Sequence, residues 1–295
     1  MRRALCGAAL AALLGAAPAS AEIAVDLELV LAIDSSASVD DHEFALQMAG
    51  IAAAFRDPRV RAAIRSGPRG RIGVAAFLWA ESGWPKAATP WFVIAGDADA
   101  EAFARTIETF PRTIEGGTGI GSAVMFGVRL FEQSAMVSPR RVIDLSGDGK
   151  ETAFREWRVG PGQARFVASA HGITVNGLAI LTDEPDLARY YRDEVITGPD
   201  AFVIAAATIA DFARAMRDKL LRELTRRPVI GEKENRGQTT FFATRKSGTD
   251  HVFRVFRYEK RGLSPIFCPR FSWFSAPTRR AQPSLGNRVS TSRTQ

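Results

Sequence analysis

Cysteine is almost missing from this chain: 295 residues contain two, Cys6 and Cys268. Cys6 falls in a segment that reads as a removable leader, so one thiol would remain. An exported domain without a cysteine pair has no internal disulfide and must be held by its core, which a domain of about 200 residues can supply. Histidine is as scarce, with only His42, His171 and His251. So few imidazoles and thiols leave zinc chemistry without a ligand set. His42 and His171 fall on predicted helix positions and read as surface or structural groups, and His251 lies near the C-terminus. Also missing are a Gly-x-x-x-x-Gly-Lys-Ser/Thr loop, which would cradle a nucleotide's phosphates, and a Gly-x-Ser-x-Gly turn, which would present a nucleophilic serine.

The body of the chain also lacks positive charge. The overall balance is +7, but it is unevenly distributed. Residues 226–295 hold 15 Lys and Arg against 4 Asp and Glu, whereas residues 22–225 hold 22 against 28. The body is mildly acidic and has no electrostatic support for binding nucleic acid.

At the N-terminus, Arg2 and Arg3 precede an apolar stretch over residues 4–17, and Ala19-Ser20-Ala21 forms a small-x-small cleavage signal. The apolar stretch is shorter than the roughly 20 residues a membrane span needs. Residues 1–21 therefore predict a signal peptide, cleaved after Ala21, and a periplasmic or secreted chain with no transmembrane segment once mature. Cys6 stands too early for a lipoprotein box.

Residues 22–225 alternate between strand and helix patterns. Strands are predicted at residues 25–33, 71–79, 89–95, 141–145, 173–181 and 201–206, with Pro90 placing the third at a sheet edge. Between them lie helical patterns. Phe44, Met48, Ile51 and Phe55 mark one stripe, and Ala98, Phe103, Ile107 and Phe110 a second. Val124, Val128 and Phe131 mark a third, and Phe212, Met216, Leu220 and Leu224 a fourth. Residues 151–170 read as a helix interrupted by Gly160-Pro161-Gly162, and residues 187–195 as a helix in an insertion. The fold class expected is α/β: a doubly wound, mostly parallel sheet of about six strands with helices on both faces.

Residues 226–295 have a different composition, rich in Arg, Ser, Thr and Phe without sustained periodicity. ENRGQTTFF (234–242) and EKRGLSPIF (259–267) look like copies of one degenerate element. This tail is expected to be poorly structured. Two readings of it stay open. One is a non-native extension, read through from repetitive intergenic DNA after a shifted stop codon. The other is a basic arm that contacts anionic surfaces.

The chemistry concentrates where predicted strands or loops turn into helices. Asp34-Ser35-Ser36-Ala37-Ser38 follows the first strand, Thr118 follows Gly116-Gly117, and Asp148 lies in LSGDG. Asp34, Ser36, Ser38, Thr118 and Asp148 form an all-oxygen set, which suits Mg²⁺, Mn²⁺ or Ca²⁺. Open α/β sheets bind ligands at this edge. Each residue alone also reads as a helix cap or a turn former, since Asp, Ser and Thr are the preferred N-caps.

Asp-x-Ser-x-Ser, then Thr, then Asp, in that order, resembles the metal-ion-dependent adhesion site of the von Willebrand factor type A domain, over roughly residues 24–225. Within that superfamily VDLELVLAIDSSASVD, IRSGPRGRIGV, GGTGIGSA, RRVIDLSGDG and YYRDEVITGPDAFV resemble the bacterial domain of unknown function 1194 family. The resemblance implies that Ser36 and Ser38 hold the ion directly, Asp34 and Asp148 mostly through water, and Thr118 directly or through water. It implies a non-enzymatic binding module whose partner is a protein offering an Asp or Glu carboxylate. A metal-assisted hydrolase on the same face and a structural domain with a vestigial site are the alternatives.

Two positions depart from the pattern. Gly119 follows Thr118 where a serine is common, and Lys150 follows Gly149 where a neutral residue is common. Asp144, in a predicted strand four positions before Asp148, needs a partner if buried. Pairing with a neighbouring arginine is one expectation, and orienting the Ser or Thr hydroxyls is another. Trp79, Trp84 and Trp91 cluster near the edge strand and read as core packing or as a binding lip. Exported protein analysed by intact mass should lack residues 1–21 and begin at Glu22; a product retaining Met1 overturns the leader assignment.

Overall fold

The computed structural model describes residues 22–81, 86–152 and 159–225. The leader, Trp84 and the basic tail lie outside the described residues, as does part of the helix expected at 151–170. In chain order the elements are β1 (Ile23–Ala24), β2 (Glu28–Asp34), α1 (Asp41–Arg56), α2 (Pro58–Arg65), β3 (Ile72–Trp79), β4 (Ala87–Ala88) and β5 (Phe92–Ile94). Then come α3 (Asp97–Glu108), α4 (Ile120–Glu132), β6 (Met136–Val137), β7 (Arg141–Gly147), α5 (Pro161–Ala170) and β8 (Ile173–Ile180). Last are α6 (Leu187–Tyr190), which runs into a π-turn (Tyr191–Val195), β9 (Val203–Ala206), a 3₁₀ turn (Ile209–Asp211) and α7 (Phe212–Thr225).

The main sheet runs β4-β3-β2-β7-β8-β9, with β5 also paired to β3. Strands β3, β2, β7, β8 and β9 are parallel, and β4 and β5 are antiparallel to β3. The chain leaves β2 toward β3 on one side and returns to pair β7 on the other. The order therefore reverses at β2, and the crevice above the ends of β2 and β7 is the switch point of the sheet.

β2 is buried along its whole length, because it has a parallel neighbour on each side and helices on both faces. Leu27, Leu29, Leu31 and Ile33 face α1, α3 and α7; Val30 and Ala32 face α4, α5 and the π-turn. The stripes expected on α1 and α4 are buried as predicted. On α3 Ala98 faces out, and Ala100 takes its place inward.

Of the strand expected at 89–95 only β5 (Phe92–Ile94) forms, with the short β4 (Ala87–Ala88) just before that span. Pro90 has no N–H to give to β3. Thr89 bridges the gap instead: its N–H donates to the Ala76 carbonyl at 2.8 Å, and its hydroxyl accepts from the Ala76 N–H at 3.0 Å. The small parallel pair of β1 with β6 is too short to show periodicity in sequence.

A buried ionic group ties α7 to the sheet. Asp144 does not pair with an arginine and does not reach the hydroxyls of the DSSAS loop. It faces α7, where the ammonium of the fully buried Lys219 meets it. One turn on, Glu223 accepts from Arg140 and, at 2.6 Å, from the Asn176 amide, whose oxygen accepts the Phe202 N–H at 3.0 Å. Burial pushes the Lys219 ammonium pKa down, and the Asp144 carboxylate opposes that shift. Removing one partner of such a pair strands the other, at about 3–5 kcal/mol. Lys219→Ala should lose stability of that order in urea unfolding. A Lys219→Met, Asp144→Leu double variant should recover most of it, and a double variant no more stable than the single one overturns this account.

Candidate metal centre

The loop after β2 is shaped by its own side chains. Asp34 Oδ1 accepts the Ser36 N–H at 2.8 Å, which folds the chain into a tight turn at the strand end. The Ser36 and Ser38 hydroxyls lie 3.1 Å apart, and Ser38 Oγ donates to Asp148 Oδ1 at 2.9 Å. Ser36, Ser38 and Asp148 thus form one continuous row of oxygens across the ends of β2 and β7.

Helix capping does not account for these residues. α1 is capped by Asp40, whose carboxylate accepts the Glu43 N–H at 2.7 Å while Glu43 accepts the Asp40 N–H at 3.1 Å. α4 starts from Gly119, with no side-chain cap. Asp34, Ser36, Ser38 and Thr118 are therefore not the caps of the helices that follow them.

Thr118 enters from the neighbouring loop. Its N–H donates to Thr152 Oγ1 at 2.8 Å, and its carbonyl accepts the Thr152 N–H at 2.9 Å. A Cβ on Gly149 would lie 3.5 Å from Thr118 Oγ1, so the Thr118 hydroxyl sits beside the turn that carries Asp148. All five residues read from the sequence come together on one edge of the sheet.

Groups the sequence did not single out hold the two loops together. Ser35 donates from its hydroxyl to the Ile114 carbonyl, and Ala37 N–H to the Gly116 carbonyl at 2.8 Å. Arg112 donates to the Ser36 and Val39 carbonyls and to Asp41, with its guanidinium over the Phe44 ring. No local motif marks Arg112, because its partners are backbone oxygens more than 70 residues away.

Burial pushes the Asp34 carboxyl up to about 7, and the nearby Asp148 carboxylate pushes in the same direction. Burial also raises Asp148. Lys150 does not lie over the row: its ammonium pairs with Glu184 at 2.6 Å. His42 is exposed on α1, and the Nδ1 of His171 closes α5 against the Val167 carbonyl. Trp79 is wholly buried and Trp91 packs on Phe131, so both belong to the core rather than to a lip.

These residues fit a hard divalent cation. Neighbouring ligand oxygens around an octahedral Mg²⁺ are about 3 Å apart, which is the spacing of the Ser36, Ser38 and Asp148 oxygens. Asp34 Oδ2 is buried without a hydrogen-bond partner among the described residues, a cost that a nearby positive charge would offset. No group of three or more His, Cys, Asp or Glu suited to a metal occurs among the described residues; the oxygens gathered at this edge are mainly hydroxyls.

A family model described as protein of unknown function (DUF1194) matches residues 24–228, and the chain belongs to that family. A comparison with curated proteins returns no match. Among solved structures, the chain is similar to the pilus adhesin SpaC from Lactobacillus rhamnosus GG (14% identity, 68% of this chain, 30% of that chain, TM-score 0.48). It is also similar to proximal thread matrix protein 1 from the mussel byssus (15%, 68%, 48%, 0.48). A third is the vWF domain of the type V pili tip protein Mfa5 from Porphyromonas gingivalis (12%, 70%, 98%, 0.45). The chain spans less than half the length of the first two. The site is accordingly argued from this chain's own residues.

A carboxyl raised to about 7 when folded keeps a proton that the unfolded chain loses near 3.8. Without metal, the stability of the domain should fall as pH rises from about 4 to 7, since the native state binds the extra proton in that window. A divalent cation needs the ionised form and must displace that proton. Calorimetry of Mg²⁺ binding at pH 6.5 in buffers of different ionisation heat should show net proton release, and the affinity should drop on acidification to pH 5.5. Affinity independent of pH across that range would contradict the assignment of Asp34.

Proposed function

We propose that this member of the DUF1194 family is an exported, non-enzymatic binding module that engages a partner's Asp or Glu carboxylate through a divalent cation held by Asp34, Ser36, Ser38, Thr118 and Asp148. One observation carries the reading: the oxygens of Ser36, Ser38 and Asp148 form a row 3.1 and 2.9 Å apart at the switch point of the sheet, with the buried carboxylate of Asp34 behind it. A bound Mg²⁺, Mn²⁺ or Ca²⁺ supplies positive charge and a coordination position that an outside carboxylate can fill.

The chain's own residues divide the work. Ser36 and Ser38 offer neutral oxygens, which leave most of an ion's charge uncompensated. Asp34 and Asp148 supply the negative charge that makes binding favourable. Thr118 closes the set from the adjacent loop, and the contacts of Ser35, Ala37 and Arg112 keep the two loops in register. Export rests on the leader pattern of residues 1–21; no helix among the described residues is long and apolar enough to cross a membrane.

A hydrolase on this face would need a general base beside the ion. Asp144, the spare acid in the sequence, is committed to Lys219 on the face that packs against α7, which favours the binding reading. The mildly acidic body supports a protein partner rather than a nucleic acid.

Asp34→Ala and Asp148→Ala should each abolish divalent binding while the domain still melts cooperatively, because few charges hold the ion and neither residue caps a helix. Calorimetric titration of Mg²⁺ and Mn²⁺ into the wild type and both variants measures this. A wild-type chain that takes up neither ion at tens of millimolar overturns the reading.

A further inference from the structure

Behind the metal face, two glycines stand on neighbouring strands. Gly147 ends β7 and Gly177 lies in β8, in a register that pairs Leu145 with Gly177 and Gly147 with Ala179. A Cβ on Gly177 would lie 2.7 Å from Cδ2 of Tyr191, and a Cβ on Gly147 would lie 2.7 Å from the Tyr191 hydroxyl oxygen. The tyrosine ring therefore lies flat across both strands, in a groove that exists because neither position carries a side chain. Its hydroxyl points toward β2.

The point above Gly147 that a Cβ would occupy is also 2.6 Å from Asp34 Oδ2 and 3.1 Å from Cζ2 of Trp79. The two oxygens, both within 2.7 Å of that point, are thus within direct or single-water reach of each other. Tyr191 and Trp79 are among the largest fully buried side chains. Among the described residues, the Tyr191 hydroxyl, Trp79 Nε1 and Asp34 Oδ2 all lack a hydrogen-bond partner. Two donors and one acceptor, none with a hydrogen-bond partner among the described residues, therefore share one buried niche.

Packing alone does not call for this arrangement, since a phenylalanine would fill the same groove and leave no buried hydroxyl to satisfy. Tyr191 also opens the π-turn Tyr191–Val195 that follows α6. Such turns shift the phase of a helix by one residue, and here the residue so placed reaches the end of β2. We infer that Tyr191 is a positioning residue for the metal centre: its hydroxyl, with the Trp79 indole beside it, holds the rear oxygen of Asp34 directly or through one water. The other oxygen, Oδ1, is held by the Ser36 N–H. The carboxylate at the root of the site is thereby fixed at both oxygens before an ion arrives, and Gly147 and Gly177 are required to let the ring pass.

The inference rests on the metal reading above, and the test separates the two. Mg²⁺ is titrated calorimetrically into the full wild-type chain and into Tyr191→Phe, and the metal-free melting of both is recorded. Loss of one hydrogen bond to a charged group should weaken Mg²⁺ binding on the order of tenfold, with metal-free melting within a few degrees of wild type. A phenylalanine variant that binds Mg²⁺ as tightly as wild type overturns the role of Tyr191 and leaves the metal reading standing. A wild-type chain that binds no Mg²⁺ removes both. A second signal covers a variant that does not fold: the indole N–H resonance of Trp79, identified by its loss in Trp79→Phe. It should shift when Mg²⁺ is added to the wild-type chain, and a resonance that stays put counts against the niche.

Discussion

A carboxylate removed from water must be neutralised, paired or bound to a cation, and the rest of the site is arranged around one that is. Asp34 is wholly buried because it closes a strand with parallel neighbours on both sides and helices on both faces. Among the described residues the charge that acts on it is another acid, Asp148. The fold thus buries two acids close together, Asp34 wholly and Asp148 mostly, with the Ser36 and Ser38 hydroxyls beside them. Protonation of Asp34 at neutral pH relieves part of that cost, and a divalent cation would relieve more.

Asp144 and Asp34 show how differently one sheet treats two buried acids. Asp144 sits four positions before Asp148 and receives an ammonium from α7; that pair belongs to the architecture and fixes the last helix. Asp34 receives no such partner. Two basic residues of the flanking loops are already engaged: Lys150 with Glu184, and Arg112 with Asp41 and two carbonyls. An internal ion pair at Asp34 would have filled the site with the protein's own charge. With Lys150 and Arg112 engaged elsewhere, Asp34 has no internal ion pair among the described residues.

Most of the fold could be read from the sequence because its signals are local. The apolar run of β2, the stripe Phe44-Met48-Ile51-Phe55 and the hydroxyl-rich loop after Ile33 each lie within a few residues. The five oxygen-bearing residues were legible for the same reason, since each follows a strand or a glycine pair. What could not be read depends on contacts between distant segments. Lys219 looks like one more charged residue on a polar helix until α7 is laid against β7. Arg112 finds its partners in a loop more than 70 positions earlier. Tyr191 lies in a segment read for its family resemblance and Trp79 in a cluster read as core or lip; only the register of β7 with β8 brings Gly147 and Gly177, two positions apart across the ladder, under one ring. The splitting of the edge strand was half legible: Pro90 announced an edge, but the Thr89 hydroxyl bond that bridges the break depends on Ala76 lying opposite.

The order in which these parts are fixed bears on how the site would work. Ser35, Ala37 and Arg112 bind the first loop to the second through backbone carbonyls, which do not change with pH or with an ion. Asp34 is held from the front by a backbone N–H and stands against Tyr191 at the rear. The Asp148 side is tied as well: Thr152 exchanges two hydrogen bonds with Thr118, and Lys150 pairs with Glu184, while Ser38 is exposed. Among the described residues the two loops are tied to each other mainly through backbone groups, and the row of side-chain oxygens spans them. The ties between the loops are long-range contacts to backbone carbonyls, which is why a motif of five residues marks the site's location but not what holds it together.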